Sequence, residues 1–193
     1  MATLAPIGTN LQNRLNAFST LSSVTPAAYQ AIVSAIQASP ALAAELNTAA
    51  DNNNFAAFGA MGAGTNAGAE FVASNGGTIK LNIDTLGTPN LSQANLVFLL
   101  GHETQHSLDA ADVATANQTF SNSITALAQN AGPQNYTSIL AAMQNANANA
   151  NANANANDEA TVQISGWNAY VSYVNNTTPA GVTPNYNTSY LSA

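Results

Sequence analysis

The strongest constraint on the fold is a helical segment that is apolar on almost every side. Residues 91–117 have apolar positions at helical spacing, and the part from Asn95 to Gly101 contains the run Leu-Val-Phe-Leu-Leu. A helix without a polar face is buried on all sides. The run is too short to span a bilayer, which takes roughly 20 apolar residues. We therefore predict a helix through the centre of a domain, with Asn90 and Gln93 as its capping-box-like start.

The hydrophobic period changes along the first half of the chain. Residues 1–50 have helical spacing, which predicts two or three helices. Glu70–Ser74 and Thr78–Asp84 flank an Asn-Gly-Gly sequence, and the second of them alternates apolar with polar residues. This pattern predicts a β-hairpin. The Asn- and Gly-rich residues 51–68 are predicted to form a loop.

The second half of the chain has a helical pattern apart from one low-complexity tract. Spacing predicts helical structure in residues 120–146, with a break at Gly132-Pro133, and a helix in residues 158–175. The second helix is predicted to carry one stripe of residues with Ala160, Ile164, Trp167, Val171 and Val174. Residues 145–157 alternate Asn and Ala, two poor strand formers, so we interpret them as a tether or expanded insertion. With an irregular tail over residues 176–193, we expect one α+β domain whose central helix packs against a small antiparallel sheet.

Charge and cysteine content exclude several classes of function. The chain has 2 Lys and Arg residues against 9 Asp and Glu residues, a formal net charge of −7. Without a basic surface it is not expected to bind nucleic acid or anionic membranes. The absence of cysteine excludes disulfides, thiol nucleophiles and Cys-ligated zinc. The N-terminal region has no apolar run of signal-peptide length, so classical secretion is not predicted.

The two histidines of the chain, His102 and His106, belong to a His-Glu-x-x-His pattern. Four residues advance a helix by roughly one turn, so both imidazoles project from one face and can bind one Zn²⁺. Glu103 lies beside that position and can take a proton from the metal-bound water. Two surface histidines are the simpler alternative, but unpaired imidazoles on a buried helix would cost about 1–3 kcal/mol each. We therefore predict one zinc ion per chain.

Two histidines leave a zinc ion short of one protein ligand. Asp112 follows His106 at the spacing that one class of zinc peptidases uses, but that arrangement needs a glycine turn that is missing here. On a continuous helix, Asp112 points about 120° away from His106. Asp109 shares the histidine face and suits a hydrogen-bond acceptor behind the ligand. Asp158 and Glu159 are the remaining candidates for the third ligand.

The stretch Leu-Leu-Gly-His-Glu-Thr-Gln-His-Ser-Leu-Asp-Ala, with Asp-Glu-Ala opening a later helix, resembles the zincin metallopeptidases of the gluzincin type. It is most similar to short bacterial secreted effector or toxin peptidase domains, over Phe71–Asn117 and Asp158–Tyr173. The resemblance implies a zincin-like fold, with Glu159 as the third zinc ligand. It also implies that the strand Thr78–Asp84 lines the substrate cleft and offers its backbone edge to a peptide. Gln163 stands where gluzincins often place an Asp that orients the first histidine.

The same resemblance implies a zinc-dependent endopeptidase in which His102, His106 and Glu159 bind the ion and Glu103 is the general base. The expected partners are a protein or peptide substrate and an immunity protein or secretion adaptor. Export by a specialised secretion system, without a signal peptide, is also expected. Two alternatives stay open: a metal-stabilised binding domain without catalysis, and a zinc hydrolase that acts on peptidoglycan peptides. Tyrosines within residues 170–190 are candidates for stabilising the oxyanion.

Overall fold

The computed structural model describes residues 3–62, 64–65, 67–86, 88, 91–132 and 135–191. It is mostly helical with one small sheet, which is consistent with the predicted α+β class. The helices are α1 (Thr9–Ser19), α2 (Pro26–Ala38), α3 (Pro40–Asp51), α4 (Gln93–Gln129), α5 (Tyr136–Ala146) and α6 (Asn153–Thr177). The strands are β1 (Ala57–Ala60), β2 (Ala69–Val72) and β3 (Thr78–Leu81). None of the helices described combines the length and the apolar character needed to cross a lipid bilayer.

The chain divides into two compact units. The first contains Met1–Leu108 with Val162–Ala193, and the second contains Asp109–Thr161. All buried residues of the described part of the chain belong to the first unit, so the hydrophobic core lies there. In the second unit, Thr and Ser hydroxyls bond to carbonyls one turn earlier on their own helix, as Thr119 does to Thr115 at 2.9 Å. The described residues of the second unit thus form helices without a buried core.

The helices near the N-terminus begin where local chemistry favours a helix start. Pro26 and Pro40 are the first residues of α2 and α3, positions at which the missing N–H of proline costs nothing. Thr25 and Ser39 precede them, and each hydroxyl oxygen accepts a hydrogen bond from a backbone N–H of the first turn. The prediction of two or three helices in this region is confirmed. Their apolar faces contribute to the core Leu11, Leu15, Phe18, Ile32, Ile36, Leu42 and Leu46.

The sheet is mixed and has the strand order β1-β3-β2. β2 is antiparallel to β3, with Phe71 opposite Ile79, so the predicted hairpin is confirmed. Asn75 and Gly76 have positive φ values of 55° and 84° in the turn, a conformation that Asn and Gly adopt most readily. β1 is parallel to β3. The prediction of a purely antiparallel sheet is therefore wrong.

The strand β1 was not predicted, because residues 51–68 have the composition of a loop. Its sequence Ala-Phe-Gly-Ala does not alternate, and the strand is anchored by Phe58, whose buried ring packs against Phe55 and Phe18. With β1 on one side and β2 on the other, β3 is the central strand. The expectation that Thr78–Asp84 offers its backbone edge to a peptide is therefore wrong, since the outer edges of this sheet belong to β1 and β2.

Helix α4 begins at Gln93, directly after Ser92, whose hydroxyl oxygen accepts a hydrogen bond from the Asn95 N–H at 3.1 Å. Asn90, the predicted cap, lies outside the described residues. The prediction of a buried central helix is confirmed for the first half of α4, which contains the buried residues Leu96, Val97, Leu100, Gly101, Glu103, Thr104 and Ser107. The helix continues past the predicted end, Asn117, to Gln129.

The Asn-Ala tract is helical, so its interpretation as a tether is wrong. A π-helical turn, Asn147–Ala152, leads from α5 into α6. Alanine occupies every second position of the tract and has the highest helix propensity of all residues. This propensity favours a helix over the strand that strict alternation suggests. The predicted stripe is not the buried face of α6, because Ile164 is 61% exposed. The buried residues of α6 are Val162, Ser165, Gly166, Ala169 and Tyr170.

Candidate metal centre

His102 and His106 project from the same face of α4, as the spacing predicts. Their ring centroids are 4.9 Å apart, and the ring planes are inclined at 78°. Both side chains are half-buried. Because α4 is a regular helix through this segment, the backbone alone holds the two imidazoles one turn apart.

Glu159 lies on α6, one turn before Val162 on the same continuous helix. Its carboxylate forms a group with His102 and His106 in which one ligand atom from each residue lies within 4.8 Å of the others. Within the described part of the chain, no other group of three His, Cys, Asp or Glu side chains meets this condition, so Asp112 and Asp158 are not in one. The predicted ligand set His102, His106 and Glu159 is thus brought together.

The donor set of this group fits a zinc ion. Catalytic zinc sites commonly use two imidazoles and a carboxylate and leave the fourth position open. Ligand atoms at about 2.0–2.2 Å from a tetrahedral ion lie about 3.3–3.6 Å from one another. The observed separations of up to 4.8 Å allow this arrangement after small side-chain adjustments, and Glu159 is exposed enough to make them. The three residues can therefore hold a metal ion.

The carboxylate of Glu103 is buried next to the first histidine, with a residue exposure of only 6%. Its buried neighbours Thr104 and Ser107 have hydroxyls that donate within α4, to the carbonyls of Leu100 at 2.5 Å and of Thr104 at 2.6 Å. Glu103 lines a cavity together with His102. A carboxylate in this position can exchange protons with a molecule bound in the cavity.

Three contacts to α3 and to its N-terminal cap hold the first-unit part of α6, and none of them was predicted. The Ser165 hydroxyl donates to Glu45 Oε1 on α3 at 2.5 Å. The fully buried Ser39 hydroxyl donates to the Ala169 carbonyl at 2.7 Å. The Ala41 N–H donates to the Ser172 hydroxyl at 3.0 Å. Single serines carry no periodic signal, so such contacts are visible only in the structure.

The hydroxyls of three candidate oxyanion tyrosines have hydrogen-bond partners outside the metal-ligand group. The Tyr170 hydroxyl accepts from the Asn187 N–H at 2.7 Å, and the Tyr186 hydroxyl donates to Asn175 at 2.7 Å. The Tyr190 hydroxyl donates to Asn95. Tyr173 packs against the hydrophobic core.

Gln163 stands at the position where gluzincins often have the Asp that orients the first histidine. In the structure its side-chain N–H donates to the Tyr190 carbonyl, and the residue lines the cavity beside His102. This connects α6 to the C-terminal segment of the chain, a contact that sequence spacing could not reveal.

No family model, curated protein or solved structure matches this chain at a significant level. The site combines two histidines on one helix, a carboxylate on another and a buried glutamate beside the first histidine. These features define a candidate metal centre next to a cavity.

Proposed function

We propose that this chain is a zinc-dependent metallopeptidase with a zincin-like fold of the gluzincin type. The observation that carries the proposal is the grouping of His102, His106 and Glu159 within 4.8 Å, with Glu103 buried beside them. The zincin-like fold is supported by a central helix that carries both histidines and by a later helix that carries the glutamate. A purely structural metal site would have no use for a buried carboxylate facing a cavity.

In this proposal His102, His106 and Glu159 hold one zinc ion per chain. A bound zinc ion lowers the pKa of water and polarises a carbonyl group. The Glu103 carboxylate accepts the proton of the attacking water and then gives it to the nitrogen of the leaving amine. Because Glu103 is on the same rigid helix as both histidines, its position relative to them is set before substrate binds.

The cavity beside Glu103 supports a peptide substrate. It has a volume of about 420 Å³, within the range of roughly 300–1,000 Å³ in which ligand sites usually fall. Because the cavity adjoins Glu103 and His102, a side chain placed in it brings its own peptide bond near the proton acceptor. Delivery by a specialised secretion system belongs to the same proposal and depends on the sequence resemblance alone.

The decisive experiment compares wild type with Glu103→Gln by cleavage-site profiling on a proteome digest and on purified peptidoglycan peptides. Gln keeps the size of the side chain but cannot accept the proton, so we expect normal zinc content and turnover reduced by about 10²–10⁴-fold. Asp112→Asn is the matched control on the same helix, with the same chemical change outside the ligand group, and should cleave as wild type does.

Two results would count against the proposal. Equal cleavage by wild type and Glu103→Gln, with zinc retained in both, would remove Glu103 as the base. Zinc binding without cleavage of either substrate class would instead support a metal-stabilised binding domain. Cleavage restricted to peptidoglycan peptides would keep the hydrolase and change its substrate.

A further inference from the structure

The C-terminal segment of the described chain forms a short 3₁₀ turn, Thr188–Leu191, against the start of α4. The ring of Tyr190 stacks on Phe98 with centroids 5.0 Å apart and planes inclined at 21°. The Tyr190 hydroxyl donates to Asn95, which lies one turn before Phe98 on α4. The Tyr190 carbonyl accepts a hydrogen bond from the Gln163 side chain on α6. Tyr190 is thus held by its ring, its hydroxyl and its backbone at once.

A second tyrosine fixes the same segment. Tyr170 on α6 packs against Tyr190 with ring centroids 4.6 Å apart, and its hydroxyl accepts the Asn187 N–H at 2.7 Å. The predicted irregular tail therefore has a defined turn over these residues. The polar and aromatic contacts attach it to α4 and α6 within the first unit.

This turn forms one wall of the cavity beside the candidate metal centre. Ser189 and Tyr190 of the turn line it together with residues of α4 and with Gln163 of α6. Most of the lining surface is apolar, and the apolar and large aromatic residues that line it are Leu91, Phe98, Leu99 and Tyr190. The ionisable groups among the lining residues, apart from Tyr190, are His102 and Glu103, both of the candidate site.

We propose that the C-terminal turn completes a substrate subsite, and that Tyr190 is a specificity-determining residue selecting aromatic and large aliphatic side chains next to the scissile bond. This inference rests on the proposed function and names the substrate class of the same site. A charged side chain would lose its hydration in this cavity. The one acidic residue of the lining, Glu103, would repel an acidic side chain, and in the proposed reaction its carboxylate is engaged by the attacking water rather than by a basic side chain of the substrate.

Gln163 acts as a positioning residue in this arrangement. Its side-chain N–H donates to the Tyr190 carbonyl, which keeps the turn against the cavity. A carboxylate has no N–H to donate and would repel the carbonyl oxygen. Gln163→Glu therefore keeps the size of the side chain while removing the contact that holds the wall.

The first test measures hydrolysis of peptides that differ only in having Phe, Leu, Ala or Lys next to the scissile bond. We expect the Phe-over-Ala ratio in kcat/KM to fall at least about ten-fold in Tyr190→Ala and in Gln163→Glu, chiefly through KM. Tyr190→Phe, which keeps the ring, should retain the preference. Tyr186→Ala is the matched control, because Tyr186 belongs to the same tail but packs on Trp167 outside the cavity lining.

The second test needs neither metal nor catalysis. The metal-free protein is titrated with N-acetyl-phenylalanine amide or N-acetyl-alanine amide, and NMR follows the methyl signals of Leu91 and Leu99. We expect saturable shifts with the phenylalanine compound in wild type and Tyr186→Ala. In Tyr190→Ala and Gln163→Glu, the affinity derived from these shifts should be at least about ten-fold lower. Far-UV circular dichroism confirms that each variant is folded, and Gln163→Glu alone carries the test if Tyr190→Ala is not.

The two tests separate failure of the subsite from failure of the proposed function. Phenylalanine-specific shifts without peptide hydrolysis would retain the subsite and remove the peptidase. Hydrolysis with no preference between Phe, Ala and Lys would overturn the subsite. Identical shifts in wild type, Tyr190→Ala and Gln163→Glu would overturn the roles of Tyr190 and Gln163.

Discussion

Gly101 on α4 and Gly166 on α6 are in direct backbone contact. A Cβ atom on Gly101 would lie 3.2 Å from the Cα of Gly166, and a Cβ on Gly166 would lie 2.9 Å from the Phe98 carbonyl oxygen. Side chains at these positions would separate the two helices. Because His102 follows Gly101 directly, this contact sets how closely α6 approaches the histidine face of α4.

Gly166→Ala tests this contact. The added methyl group would meet a carbonyl oxygen, which cannot move away as a flexible side chain can. Overpacking costs about 1–3 kcal/mol, and better helix propensity returns up to about 1 kcal/mol. We expect a net loss of about 1–2 kcal/mol in the free energy of unfolding, measured by urea denaturation, together with weaker zinc binding.

Gly62→Ala is the control for this prediction, since among the described residues, apart from its chain neighbours, no atom lies within 4 Å of the Cβ it would add. Its unfolding free energy should stay within about 0.5 kcal/mol of wild type. If Gly166→Ala proved as stable as Gly62→Ala and bound zinc normally, the close approach of the two helices would not matter for the site.

Removal of a ligand should abolish metal binding. His102→Ala and His106→Ala each leave two protein ligands, too few for a stable zinc site, so about one zinc per chain should fall to near zero. Glu159→Ala should weaken zinc affinity by at least about ten-fold. Atomic emission analysis of dialysed protein and competition with a chelating dye measure both effects.

Asp112→Ala is the comparison for Glu159→Ala. The continuous helix and the observed grouping both leave Asp112 out, so its variant should bind zinc as wild type does. The reverse ranking, with Asp112→Ala weakened and Glu159→Ala unaffected, would contradict the ligand set.

Ser39 is expected to contribute more to the free energy of unfolding than an ordinary helix cap does. Its hydroxyl accepts from the Leu42 N–H and donates to the Ala169 carbonyl, and the residue is fully buried. Thr25 makes only the corresponding cap on α2. Ser39→Ala should therefore lower the unfolding free energy by about 2–3 kcal/mol, against about 1 kcal/mol for Thr25→Ala. Equal losses in thermal or urea unfolding would show that the bond to α6 adds nothing.

Docking of Tyr190 should weaken at alkaline pH. Burial raises the pKa of its hydroxyl above the ordinary value of 10.0, an effect that a hydrogen bond with Ser92 partly opposes. Above pH 10 the unfolded chain therefore loses this proton more readily than the folded chain does, so the folded state is stabilised less as pH rises. Below pH 10 the contribution of the neutral hydroxyl is fully present.

The measurement is the difference in unfolding free energy between wild type and Tyr190→Phe as a function of pH. This difference should be constant from neutral pH to about pH 10 and should then decrease. A difference that stays constant well above pH 10 would contradict a buried, hydrogen-bonded hydroxyl. Fluorescence of Trp167, the one tryptophan of the chain, reports whether the neighbouring Tyr170 and Tyr186 stay in place.

Local sequence patterns were sufficient to predict those elements whose structure depends on neighbouring residues alone. The apolar run before His102 predicted a buried helix, and the Asn-Gly-Gly turn predicted the hairpin of β2 and β3. The spacing of His102 and His106 placed both imidazoles on one face, because helical geometry needs no tertiary contact to do so. These features depend only on residues a few positions apart.

Non-local packing decided what the patterns missed. β1 exists because it pairs with β3 and buries Phe58, and neither contact is encoded in its four residues. The buried face of α6 follows its contact with Gly101, which is why Ile164 is exposed although it lies in an apolar pattern. The position of Tyr190 against Phe98 joins residues far apart in the chain and left no trace in its local sequence.

The sequence by itself determined the two histidines, the glutamate between them and the helix that carries all three, since their relative positions follow from one helical turn. From the residues alone, Asp112, Asp158 and Glu159 were open as the third ligand, and the family resemblance favoured Glu159. Only the tertiary structure grouped Glu159 with the histidines. The physical reason is that a ligand more than fifty residues away is placed by how α6 packs, here through Gly101 and small side chains on α6, and not by any local propensity.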